Sequence, residues 1–179
     1  MRSLRDALDG MCIEHGLVRT LTATHEAGHV VAIDAYGGIG ISVAILPDEI
    51  VARERLYGQT CVQDCDALSE QEHMGLTLAG RLAEIEAAKI HPELCNDDCG
   101  LGNWQGGDLK IANERLAECR TTHGAASARR LKRDAVAQTH RIIRDNFGRV
   151  VFVAAALLRA GRLNIAETGA VLLAAPPLR

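Results

Sequence analysis

The chain has 179 residues, 47% hydrophobic and 24% charged, which is enough apolar material for one buried core and too balanced a composition for a disordered or fibrous protein. Its formal net charge of −3 argues against nucleic acid as the main partner, because binding phosphates needs a basic surface. No apolar run reaches the ~18–20 residues of a membrane span, and the segment Met1-Arg2-Ser3-Leu4-Arg5-Asp6 lacks the apolar core of a signal peptide. The resulting expectations are a single domain over residues 1–179, a cytoplasmic location and reduced cysteines.

In chain order, residues 3–15 form a short amphipathic helix and residues 20–36 a second one. Thr20, Thr22 and Thr24 are candidate caps of that second helix, Val30, Val31, Ile33 and Ala35 continue its apolar side, and Gly37-Gly38 stops it. The period then changes. Residues 39–46 are β-branched and bounded by Gly37-Gly38 and Pro47, which predicts a strand, and a weaker one covers Tyr57 to Val62. Two or three strands make a small sheet.

Ser69 followed by Glu72 is a capping box, and Met74, Leu78, Leu82 and Ile85 repeat at helical spacing, so a helix runs over 70–90 until Pro92 closes it. After a loop, Asp108 opens a helix with the apolar stripe Leu109, Ala112, Leu116 and Cys119. Helices follow at 125–146 and 149–159, and a last one at 165–173 has Asn164 as its cap. The run Arg129-Arg130-Leu131-Lys132-Arg133 falls inside a helical pattern and is expected to be a solvated face. The predicted class is mainly α with a small β-sheet (α+β).

The richest segment is His25-Glu26-Ala27-Gly28-His29. Histidines four apart project from one helix face, so their imidazoles can meet on one cation. Glu26 then lies beside that cation, free to act as general base towards a metal-activated water. The plain alternative is a pair of structural histidines. A catalytic zinc keeps three protein ligands and an open position, so a third partner must come from elsewhere. Glu84, Glu86, Asp108, His73, His91, His123 and His140 are the candidates.

Six cysteines are present, and four of them form two C-x3-C pairs, Cys61 with Cys65 and Cys95 with Cys99. That spacing suits the half-sites of a second, structural zinc. In a reducing compartment unlinked thiols are the expectation, with the four-cysteine zinc and disulfides as alternatives.

Three blocks in the same order resemble the protease domain of the FtsH-type ATP-dependent zinc metalloproteases. Residues 25–32, HEAGHVVA, look like the family's zinc helix. Leu78-Ala79-Gly80-Arg81-Leu82-Ala83-Glu84 is similar to its glycine-glycine-arginine block. Gly106-Gly107-Asp108-Leu109 followed by Ala112 looks like the block in which an aspartate opening a helix is the remaining zinc ligand. The helices after residue 125 resemble the family's C-terminal part, so the likeness covers about residues 17–175. Ala79 stands where the family has glycine, Ile85 where it has an acidic residue, and Gly107 where it tends to have asparagine; none of these changes removes a ligand.

The resemblance implies a zincin-like HExxH helix followed by a helical bundle, one catalytic Zn2+ held by His25, His29 and Asp108, and Glu26 as the base. It casts Glu84 as the carboxylate that orients a ligand imidazole through its other ring N–H; on the residues alone Glu84 is equally a salt-bridge partner on a helix surface. The activity implied is ATP-independent hydrolysis of peptide bonds in a polypeptide substrate, since these residues carry no G-x-x-x-x-G-K-[ST] phosphate loop. Homo-oligomers or an ATPase or adaptor partner are the associations it suggests. The strand at Ile41 to Ile45 either offers an edge for an extended substrate or is a buried central strand. The competing function is a non-catalytic interaction module that keeps a protease-like fold.

Overall fold

A computed structural model of the chain describes residues 3–47, 57–95 and 107–178. Helix α1 (Leu4–His15) starts at a capping box in which the Ser3 hydroxyl accepts from the Asp6 N–H and the Asp6 carboxylate accepts from the Ser3 N–H. It buries Leu8 and Met11. Gly16, at φ 80°, ends α1 and at once begins α2 (Leu17–Ala35). The expected threonine caps are therefore corrected. Because the turn comes at Gly16, residues 20–24 already lie inside the helix, where hydroxyls reach back one turn: Thr22 donates to the Val18 carbonyl at 3.0 Å and Thr24 to that of Thr20 at 2.8 Å.

Helix α2 is the axis of the fold, with Ala23, Ala27, Val30, Val31 and Ala32 wholly buried. It packs against α3 (Glu70–Ile90) and against α6 (Phe147–Ala160). The approach to α3 is close because Gly28 faces alanines; a Cβ there would lie 2.6 Å from Ala83 Cβ and 2.8 Å from the Ala79 carbonyl oxygen. The Ser69–Glu72 capping box opens α3 as its sequence predicts. Helices α4 (Gly107–His123) and α5 (Ala125–Asp145) continue the bundle, α5 lying against both α3 and α4. Ala128, Ala135, Thr139 and Ile143 face inward on α5, while Arg129, Arg130, Lys132 and Arg133 are exposed, the solvated face expected. The last helix, α7 (Ile165–Ala174), is capped by Asn164, whose side chain accepts from the Glu167 N–H at 3.0 Å.

Strands β1 (Ser42–Ile45), β2 (Gly58–Cys61) and β3 (Arg162–Leu163) form an antiparallel sheet in the order β2-β1-β3. β1 pairs Val43 with Thr60 on one side and with Leu163 on the other. It is thus the central strand, which decides between the two expectations for residues 41–45: both edges of β1 are used, and it cannot take a further strand. β3 was not located by sequence, since two residues are too few to show alternation. The molecule is mainly helical with a small antiparallel sheet, an α+β arrangement, and the buried residues of the helices and sheet join in one core extending from Leu8 to Leu172. No helix of the described residues is long and apolar enough to cross a membrane.

Candidate metal centre

His25 and His29 lie one turn apart on α2, and each ring is anchored at Nδ1. His25 Nδ1 is 2.8 Å from Glu84 Oε1, and His29 Nδ1 is 2.8 Å from the Leu76 carbonyl oxygen, both on α3. A carbonyl can only accept, so His29 Nδ1 carries the hydrogen; the Glu84 carboxylate imposes the same on His25. In the neutral rings the lone pairs are left at Nε2. These two nitrogens are 3.1 Å apart, and Asp108 Oδ2, from the first turn of α4, is 3.0 Å from each. Asp108 thus meets His25 and His29 from 83 and 79 positions away in sequence.

Three lone-pair atoms facing one another repel unless a positive charge sits among them. Burial works against a charged His25, yet hydrogen bonds to Asp108 and Glu84 outweigh it and push the imidazolium up to about 10 from 6.5. Burial likewise opposes the Asp108 carboxylate, but hydrogen bonds from His25 and His29 hold it well below the usual range. A divalent cation meets the same demand. Tetrahedral zinc at ~2.0–2.1 Å from its ligands sets them roughly 3.3 Å apart, within a few tenths of an ångström of the triangle here, and two imidazoles with one carboxylate are ligand types zinc takes. Among the described residues His25, His29 and Asp108 are the one group able to hold a metal in this way.

The segment 78–84 of α3 supports the triangle. A Cβ on Gly80 would fall 2.5 Å from His25 Nε2, so the ring lies over bare backbone. Arg81 Nη1 donates to Glu84 Oε2 at 2.7 Å while the other oxygen of Glu84 holds His25. Glu84 accordingly has both partners, an arginine of its own helix and the His25 imidazole.

Glu26 is buried and turns towards β2. The Thr60 hydroxyl donates to Glu26 Oε2 at 2.6 Å, and a Cβ on Gly58 would lie 2.6 Å from Oε1. Sequence reasoning missed Gly58, Thr60 and the Leu76 carbonyl. The G-x-T spacing of β2 does put residues 58 and 60 on one strand face, but nothing local says that this face meets α2.

The remaining candidates lie elsewhere. Glu86, two residues past Glu84, bonds His140 and Lys89. His91 Nε2 is 3.2 Å from Asp9; His73 and His123 are not in the cluster. Cys61 ends β2 and Cys65 follows it, both as free thiols. Cys99 and the side chain of Cys95 lie outside the described residues, so the four-cysteine site does too. Compared with models of known protein families and with curated proteins, the chain matches none.

Proposed function

We propose that this chain is a zinc-dependent metalloendopeptidase of the FtsH-protease type, cleaving polypeptide without ATP. The observation that carries the proposal is the convergence of His25 Nε2, His29 Nε2 and Asp108 Oδ2 within 3.1 Å of one another, with the HExxH glutamate between the two histidines in sequence. His25, His29 and Asp108 hold the ion. When bound, it supplies Lewis-acid polarisation of the scissile carbonyl and acidifies the attacking water. Glu84 and the Leu76 carbonyl keep both rings in the tautomer that offers Nε2.

Glu26 moves the proton. Its Oε2 is taken up by Thr60, while Oε1 accepts no hydrogen bond from the described residues. Oε1 is therefore the oxygen assigned to accept the proton of the attacking water and to hand it to the leaving amine.

The substrate strand is assigned to β2 in place of β1. Leu46 N–H donates to the Tyr57 carbonyl at 2.9 Å, so alternation turns the main-chain groups of Tyr57, Gln59 and Cys61 towards β1 and those of Gly58 and Thr60 outward. No described strand pairs with that outer edge. An extended polypeptide added there runs past Glu26, which suits unfolded or terminal segments in a cytoplasmic setting; folded substrates need delivery by an ATPase or adaptor. Casein cleavage that a chelator abolishes and Zn2+ restores is the expected result. Cleavage untouched by chelation would contradict the proposal.

A further inference from the structure

We infer that Gly58 and Thr60 of β2 are positioning residues for Glu26, so that one strand both sets the base and borders the substrate path. This rests on the peptidase proposal. A glutamate on a helix has three side-chain torsions, and general-base catalysis needs its carboxylate held in one place. Thr60 supplies the hold: its hydroxyl donates to Glu26 Oε2 at 2.6 Å and lies 3.4 Å from the Glu26 carbonyl oxygen. Threonine is β-branched and stiff at χ1, and β2 is paired to the central strand, so the donor stands on a rigid mount.

Gly58 supplies the room. Strand alternation puts it on the same face as Thr60, and a Cβ there would come within 2.6 Å of Oε1, 2.7 Å of Cγ and 2.9 Å of Cδ. The carboxylate thus lies flat against bare backbone at 58 with its other oxygen pinned at 60. No residue with a side chain at 58 leaves Glu26 where it is. No metal ligand is involved, so loss of this arrangement separates catalysis from zinc binding.

The test measures zinc content, kcat and KM for casein-derived peptide in wild type, Glu26→Gln, Thr60→Val, Thr60→Ser and Gly58→Ala. Thr60→Val and Gly58→Ala are expected to lose on the order of 10–100-fold in kcat with KM and zinc content kept, and Thr60→Ser to regain most of it. A second readout needs no metal: in the metal-free protein Thr60→Val lowers the urea midpoint, and in a Glu26→Ala background it does not. Thr60→Val within about twofold of wild type, Thr60→Ser as impaired as Thr60→Val, or equal midpoint shifts in both backgrounds would overturn the inference. A wild type without hydrolysis would sink the peptidase proposal and this inference with it, whereas an active wild type matched by Thr60→Val sinks the inference alone.

Discussion

Helix α3 carries two glutamates two residues apart, each bonded to a histidine of another helix and to a basic residue three positions away. Glu84 meets His25 and Arg81; Glu86 meets His140 and Lys89. In composition the two clusters are nearly identical. They differ in which ring nitrogen the carboxylate uses. Glu84 takes Nδ1 of His25 and leaves Nε2 to face His29 and Asp108, whereas Glu86 takes Nε2 of His140 directly. In the proposed site the first pair prepares a lone pair for a cation, whereas the second uses up its charges locally, tying α3 to α5. A His–Glu pair alone therefore says little; what counts is where the other nitrogen points.

The sharpest way to separate the clusters is to remove the group only one of them has. Asp108→Ala is expected to abolish zinc binding and hydrolysis together, measured by metal analysis and peptide cleavage, while Glu86→Ala leaves both intact. Next in size is the orienting carboxylate: Glu84→Gln should weaken zinc by roughly 10–100-fold in a chelator competition. An unchanged affinity would reduce Glu84 to a partner of Arg81.

Protons give a third contrast. In the metal-free protein His25 holds its proton up to about 10, above its ordinary 6.5, so that proton's contribution to stability is complete below ~6.5 and is lost as pH rises towards 10. In the proposed site zinc displaces that proton. Calorimetric titration at pH 8 in buffers of different ionisation enthalpy should report about one proton released per zinc.

Glu86 has the opposite sign: burial raises its pKa, but Lys89 and His140 outweigh burial and lower it from 4.5, so its contribution is present above ~4.5 and fades as pH falls through the folded value. The smallest expected effect follows. Glu86→Ala should cost about 1–2 kcal/mol of urea stability at neutral pH, and the gap to wild type should narrow in acid.

Much of this architecture was legible in the chain because it is written locally. The period of the apolar residues and the Ser69–Glu72 pair predict a helix over about residues 70–90, where α3 lies, and Asn164 marks the start of α7. The threonine caps failed because Gly16, with its positive φ, begins α2 a turn earlier than threonine-rich sequence suggests. β3 is two residues long and exists only through its pairing with Val43 and Ala44. At the site, His25, Glu26 and His29 are readable from one helical turn. Asp108 was reached through family resemblance, with six other residues open on spacing alone, since the contact spans 83 positions. Gly58 and Thr60 were out of reach because their meaning depends on β2 crossing beside α2.

The central claim is that this triangle of donors holds a zinc used for peptide hydrolysis, with Glu26 as its base. The direct measurement is zinc content and casein hydrolysis on purified wild type beside Glu26→Gln. One zinc per chain in both proteins, with cleavage by wild type and a fall of ~10²–10⁴-fold in the variant, is the predicted result. Absence of zinc from wild type, or equal cleavage by the two proteins, would contradict it.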